Sequence, residues 1–311
     1  MLIARPRRPM SRLLDLVALR ADFLRKLFWG LGILFAAYYW LYLTQNVGLP
    51  VDVRWYWEAD PANLYPHPEL LQGNGYNYSP AFELVVGWGR HLDFETFVAI
   101  WRAILLVVFV WLAGPLALLV LFTPPVASEI NAGNIQLLMA AAIVLGFRGG
   151  PRSFWPATWA FVLLTKVTPG VGLLWFALRR QWRTLAVALG VTAVIAAVTF
   201  AIWPDRWFAW FELLQQGSPP AVPPYNLPLL PRLVVAVAII VLGAWRGWRW
   251  PVVVGATLAL PAFYTLSPSM LVGILPFARE AASRWAAQRR LTLESGTSSG
   301  AARGRAAGPG R

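Results

Sequence analysis

The chain has 311 residues, of which 58% are hydrophobic and only 13% charged, with 18 tryptophans, no cysteine and a net charge of +13. So little charge cannot coat a soluble domain of this length, and most of the chain must face lipid or other helices. The absence of thiols excludes disulfide scaffolds, thiolate metal sites and cysteine nucleophiles.

In chain order, residues 1–26 form a basic cytoplasmic arm. Within it, residues 11–26 (Leu13, Leu14, Leu16, Val17, Leu19, Phe23, Leu24) read as an amphipathic helix lying in the membrane interface. The apolar run that starts near Leu27 is long enough to stay as an anchor, so no cleavable signal is expected. Apolar segments follow at 27–46, 79–90, 97–122, 134–147, 153–166, 168–178, 184–203, 231–245, 251–266 and 269–279. They predict an all-α, polytopic transmembrane bundle of about ten helices occupying residues 27–279. Several fall short of the roughly 20 residues of a perpendicular span, and read as kinked or partly inserted helices. The tail 280–311, rich in Ala, Gly, Ser and Arg, reads as basic and, from about residue 287 onward, disordered.

Charge sets the orientation. With the N-terminus inside, 22 of the 27 Lys and Arg residues fall on the cytoplasmic side, Arg90, Arg148, Arg152, Arg179, Arg180, Arg183, Arg246 and Arg249 among them. Arg54, Lys166, Arg206 and Arg232 fall outside, and Arg102 sits within a helix. That excess is the expected orientation signal, with both termini cytoplasmic in a plasma membrane. The basic charge is therefore topological, and the lipid bilayer, not nucleic acid, is the partner it implies. The basic clusters after 147 and after 178 also require a hairpin between them. Two long outer loops, 47–78 and 204–230, are expected to carry interfacial helices, and long loops are where function concentrates.

Few residues could carry chemistry. Asp52, just past the first apolar segment, is followed by Tyr56 and Glu58; a carboxylate at the membrane surface can take a proton from an attacking hydroxyl, or can simply end a helix in solvent. Lys166, one of only two lysines, interrupts the apolar run Leu163-Leu164-Thr165-Lys166-Val167. An ammonium there either meets an anionic phosphate in a cavity or snorkels to the headgroups. Tyr76 and Tyr78 lead into the segment opened by Ser79-Pro80; they can stack on a sugar or mark the interface. Glu129, Asn134 and Gln136 open the fourth segment with polarity that suits sugar hydroxyls, helix capping or helix–helix contact. His67 and His91 stand alone, there is no HExxH, Gly-rich phosphate loop or Gly-x-Ser-x-Gly, and no cofactor is expected; carboxylates alone could hold a divalent ion, but nothing specifies one.

In their order, these landmarks resemble glycosyltransferase family 87, the polyprenol-phosphate-mannose-dependent alpha-1,2-mannosyltransferases of GT-C-type membrane fold. Val51-Asp52-Val53 with Tyr56 resembles the family's early Asp-aromatic-x-x-Tyr signature, and Tyr78-Ser79-Pro80-Ala81-Phe82 its Tyr-x-Pro-x-Phe segment. Gly133-Asn134-Ile135-Gln136 stands where the family has Gly-Gln-x-Asn, with the amides exchanged. Lys166-Val167-Thr168-Pro169 followed by Arg179-Arg180-Gln181-Trp182-Arg183 is similar to the family's Lys-Pro hairpin and its exit. Tyr225-Asn226 through Arg232 resembles its late Asn…Arg-Leu segment, and Leu266-Ser267-Pro268 its Ser-Pro turn, after which Ser269 and Met270 stand where His or aromatic residues are frequent.

The resemblance implies an inverting transferase working on the outer face. Its donor would be a polyprenyl-phosphate sugar, mannose first, and its acceptor a glycolipid or glycan. Asp52 would be the base, Lys166 and Arg232 would hold the donor phosphate, and Tyr56, Glu58, Tyr76, Tyr78, Glu129, Asn134, Gln136 and Asn226 would contact sugar or acceptor. Other readings are a GT-C-type enzyme for another sugar, a lipid or solute transporter, and an accessory subunit. A transporter predicts charged pairs along a path reaching the cytoplasm, whereas the intramembrane charges are sparse (Glu83, Arg102 and Lys166) and the polar richness is on one face only. No internal repeat stands out, unlike in many transporters.

Overall fold

The computed structural model describes residues 9–46, 51–65, 75–149, 152–215 and 228–288, and among them every regular element is helical. Helix α1 spans Pro9–Gln45, so it runs unbroken through residue 26, where arm and first span were expected to meet. The short helix α2, Val51–Glu58, follows. Among the described residues four stretches are long and apolar enough to cross a membrane: Arg20–Gln45, Phe94–Leu121, Trp182–Ile202 and Leu229–Arg246. Their outward faces are apolar, with Leu34, Val107, Val194 and Val234 all more than 60% exposed, which suits lipid rather than water.

The segment expected to be the second span, 79–90, is not one continuous helix. It consists of a 3-10 turn Pro80–Phe82, one turn of helix α3 (Glu83–Val86) and a second 3-10 stretch Gly87–His91. Both its ends lie beside α2: Tyr78 and Tyr56 hydroxyls are 3.1 Å apart, and Trp57 Nε1 donates to Leu92 O at 3.0 Å. A segment that leaves and returns at one end of the bundle does not cross it. Arg90, expected on the opposite face, therefore belongs to this end, where it pairs with buried Glu83.

Helix α4, Phe94–Ala113, starts at Asp93, whose carboxylate accepts from Thr96 N at 2.8 Å. It runs antiparallel to α1: Trp40 Nε1 bonds Ala99 O at one end, while Gly114 abuts Trp29 at the other. At Gly114 (φ 61°) the chain reverses. Arg279 bonds the freed carbonyls of Leu112 (2.7 Å) and Trp111 (3.2 Å). Helix α5, Ala117–Leu121, returns alongside α1, Ala117 against Gly32 and Phe122 within 6.3 Å of Phe35. Although Phe94–Leu121 is apolar throughout, it is thus a hairpin and not one span.

Helix α6, Pro124–Ala132, continues that return, and α7, Gln136–Gly146, leaves it at 105°. The hinge is Gly133 in the left-handed region, φ 73°. Next come α8, Trp159–Thr165, and α9, Leu174–Leu178, each preceded by 3-10 residues, Trp155–Thr158 and Thr168–Leu173. They form the antiparallel hairpin that the basic clusters required: Gly170 faces Leu163, Gly172 faces Trp159, and the Trp159 and Phe176 rings are 6.1 Å apart. Each arm is roughly 20 Å long at helical rises, short of the hydrocarbon thickness, so the apex at Lys166 lies below a full span's end.

Helices α10 (Trp182–Ile202), α11 (Pro204–Gln215), α12 (Leu229–Arg246) and α13 (Trp250–Leu258) follow, and a 3-10 stretch Ser267–Gly273 leads into a last helix whose described residues are 274–288. Among the described residues there are thus more helices than the ten expected, because several expected segments are broken. Helices α2 and α11 stand in the two long loops.

Candidate active site

The centre of the site is a network of helix ends. At Gly133 a Cβ would sit 1.8 Å from Val53 Cγ2, so only glycine lets α2 approach the α6–α7 hinge this closely. Trp101 of α4 fixes the hinge from behind, its Nε1 donating to Gly133 O at 2.7 Å. That approach carries Asp52, in the first turn of α2, to Asn134, whose Nδ2 donates to Asp52 Oδ2 at 2.9 Å.

Asn134 is held in turn, its Oδ1 accepting from Ile135 N at 2.7 Å. Buried Glu129 accepts from Leu137 N at 3.2 Å. With its amide nitrogen turned to Glu129, Gln136 donates to both carboxylate oxygens, at 2.8 and 3.0 Å, and to Asn134 Oδ1. The polarity at 129–136 therefore serves two purposes: it satisfies the backbone freed by the hinge and orients the amide that touches Asp52.

Lys166 enters from the α8–α9 apex. Its backbone is extended there, and Ser79 Oγ donates to the neighbouring Leu164 O, tying the apex to Tyr78. The ammonium lies 5.9 Å from the centre of the Tyr78 ring and acts electrostatically on both Asp52 and Glu129. Burial pushes the Asp52 carboxyl above its usual range, opposed by Lys166 and the Asn134 amide. The phenols of Tyr56 and Tyr78 are raised well above theirs, first by burial, so both stay protonated, and one of them donates to the other.

Asp52, Tyr56, Tyr78, Glu129, Asn134, Gln136 and Lys166 thus come together. The remaining candidates do not join them in the same way. Glu58 pairs with Arg54 at 2.7 Å on the exposed side of α2. Arg232 donates to Leu258 O, Leu260 O and Pro261 O at the C-terminal end of α13. Tyr76 is buried one layer away, its ring 5.7 Å from Tyr78 and its hydroxyl toward Glu83. Asn226 lies outside the described residues.

One neighbour was missed by the sequence reading. Tyr264, more than a third exposed, lies close enough to Asp52 and Tyr78 to interact electrostatically with both. Its amide donates to Ser267 Oγ at 2.9 Å, so the Ser-Pro turn positions it. An aromatic three residues before Ser267-Pro268 was the available signal. Among the described residues no group of three or more His, Cys, Asp or Glu is placed to hold a metal ion.

An all-helical protein with several membrane-length apolar helices, and a carboxylate, two amides and a lysine at their broken ends, is a multi-pass membrane protein built around a polar site. The comparisons make the class specific. The model of glycosyltransferase family 87 matches residues 76–272, well over half of the chain, and the protein belongs to that family; it is a glycosyltransferase. The match starts beyond Asp52, which joins the matched region through Asn134. No curated protein and no solved structure matches the chain.

Proposed function

We propose that this glycosyltransferase moves a hexose, mannose first, from a polyprenyl-phosphate donor to the hydroxyl of a glycolipid or glycan, with inversion at the anomeric carbon. The observation that carries the proposal is the meeting of Asp52, Asn134 and Lys166 at one set of helix ends. The Asp52 carboxylate takes the proton of the acceptor hydroxyl as its oxygen attacks the anomeric carbon. The bond from that carbon to the phosphate oxygen breaks, and its electron pair leaves on the polyprenyl phosphate. The Lys166 ammonium offsets the charge growing there, a contribution that is often large in a low-dielectric site. Gln136 and Asn134 orient the carboxylates, and the paired Tyr56 and Tyr78 hydroxyls keep one O–H between them for a sugar oxygen.

The membrane topology proposed with this reading has ten crossings, both termini cytoplasmic and the site facing outward. The re-entrant segment 79–91 removes one expected crossing, and the reversal at Gly114 restores it, so the parity read from the basic loops survives. The short arms beside Lys166 leave the donor phosphate near the surface while its lipid lies along the bundle.

The deciding experiment incubates purified protein with labelled polyprenyl-phosphate mannose and a panel of glycan and glycolipid acceptors. Transfer with inverted stereochemistry supports the proposal. Transfer from another polyprenyl-phosphate sugar, and none from mannose, would move the assignment to that sugar. Lipid movement across the bilayer without transfer would sink it. A chelator arm of the same assay decides the divalent-ion requirement.

A further inference from the structure

The opposite end of the bundle holds a second feature that the transfer chemistry does not use. A cavity there is lined from four separate parts of the chain, with Arg148 just past α7, Ser153 and Pro156 before α8, Arg180 after α9 with Arg183 in the first turn of α10, and Arg249 before α13. Trp175, Phe147 and Trp182 form its walls, and no acid lines it. The nearby Glu280 is taken up by Arg249 (3.5 Å) and Arg284 (3.7 Å). Among the described residues, Arg148, Arg180 and Arg183 make no ion pair and no side-chain hydrogen bond. Arg148 only stacks on Trp111, at 4.7 Å.

Arg180 is the telling residue. Helix α9 ends in a Schellman motif, with Gln181 N bonded to Phe176 O at 2.8 Å and Arg180 N to Ala177 O at 2.9 Å. The residue in its left-handed position is Arg180, φ 54°, the one non-glycine residue with positive φ among those described. Helix α12 ends at the same face with the same pair of bonds, and there the position is filled by Gly247, φ 72°. Glycine takes this conformation without strain and arginine does not. A requirement for inward-facing charge from any loop would be met equally by a neighbouring arginine, so the strained position argues for the side chain itself.

The surroundings indicate what the arginines meet. Phe154, Trp155, Leu178, Trp182, Trp248 and Trp250 are exposed around this end, the arrangement of an aromatic belt at headgroup depth. We infer that this cavity binds the phosphate of an anionic phospholipid headgroup. Arginine forks match phosphate oxygens bidentately, and the indole walls suit the glycerol and upper acyl chain. The site is separated from Asp52 by the length of α7, eleven residues, or roughly 16 Å. It stands independently of the sugar and acceptor.

The test uses the full chain in nanodiscs of phosphatidylcholine with and without phosphatidylglycerol, with bound lipid counted by native mass spectrometry and melting followed in parallel. Arg180→Gly relieves the strain and should melt at the same temperature or higher, yet lose phosphatidylglycerol affinity about fivefold, the contribution of one basic residue at an anionic surface. Adding Arg183→Gln should bring the loss to roughly 20-fold. Arg284→Gln, the same charge change outside the cavity, should leave affinity within about twofold. Equal losses for Arg284→Gln and Arg180→Gly would reduce the site to diffuse surface charge and overturn it, as would an unchanged affinity in Arg180→Gly. Inorganic phosphate raising the melting temperature as much as phosphatidylglycerol does would overturn the lipid as occupant.

Discussion

Gly133→Ala separates the geometry of the site from its composition, because it alters no group proposed to touch substrate. The added methyl would lie 1.8 Å from Val53 Cγ2, and ordinary carbon contact requires roughly 3.5–4.0 Å. Either α2 or the hinge must therefore move by about 2 Å, and alanine at φ 73° adds roughly 1–2 kcal/mol of backbone strain. The Asp52–Asn134 bond, now 2.9 Å, cannot survive such a shift. Misplacing a reacting group by about 1 Å can lower turnover on the order of 100-fold, and that is the expected loss in a radiolabelled transfer assay. Donor binding, assigned to Lys166 on a different element, should change less than about threefold. Val53→Ala in the same background removes the colliding carbon and should recover a large part of the activity, so the two substitutions are non-additive. Near-normal transfer by Gly133→Ala in a folded protein would refute the role of α2 docking, and failure of Val53→Ala to rescue would show that strain alone was responsible.

Asp52→Asn should lower turnover by roughly 100-fold or more while leaving donor binding intact. Because burial raises the Asp52 carboxyl, its ionised form costs stability as the pH rises through that raised value, so Asp52→Asn should not lower the neutral-pH melting temperature; a marked drop would contradict the burial argument. Lys166→Met removes a group that lowers the Asp52 carboxyl, so the acid limb of the kcat/KM profile should move to higher pH while the donor KM rises. An unmoved limb would mean that the lysine does not act on Asp52. Topology reporters placed after Arg183 and Arg249 should read cytoplasmic and one after His91 external; a cytoplasmic signal at His91 would restore 79–90 as a span.

Much of this arrangement was legible in residue order, and the part that was not has a definite cause. The α8–α9 hairpin followed from the basic clusters at 148–152 and 179–183, because two like-signed loops cannot flank a single span. The second crossing was misplaced because hydropathy does not record direction: 97–122 is uniformly apolar, and the reversal rests on the φ of Gly114 and the reach of Arg279 from a segment 165 residues further on. Likewise 79–90 reads as an apolar segment, yet Leu92 is held at α2 by one tryptophan. At the site, Lys166 stood out as an ionisable group interrupting an apolar run, Asn134 and Gln136 as polarity opening an apolar segment, and Asp52 by its place just past the first span and by the resemblance. Arg232 was singled out only by the resemblance, and a motif position does not say whether the guanidinium meets a ligand or, as with Leu258 O, Leu260 O and Pro261 O, the backbone of a neighbouring helix end.

The same economy explains why the site lies where helices break. In a low-dielectric bundle each interruption exposes backbone donors and acceptors that water cannot reach, and side chains must satisfy them. Glu129 does this for Leu137 N, Asn134 for Ile135 N and Ser79 for Leu164 O. Once those polar groups are present, a carboxylate brought alongside costs less than it would against an unbroken apolar helix, because oriented amides and an ammonium are already there. Asp52 meets one such amide directly and Lys166 through its field. The breaks at Gly133 and Lys166 are thus the condition for keeping an ionisable base at this depth. A straightened α6–α7 or α8–α9 would remove the base's partners even with every site residue retained.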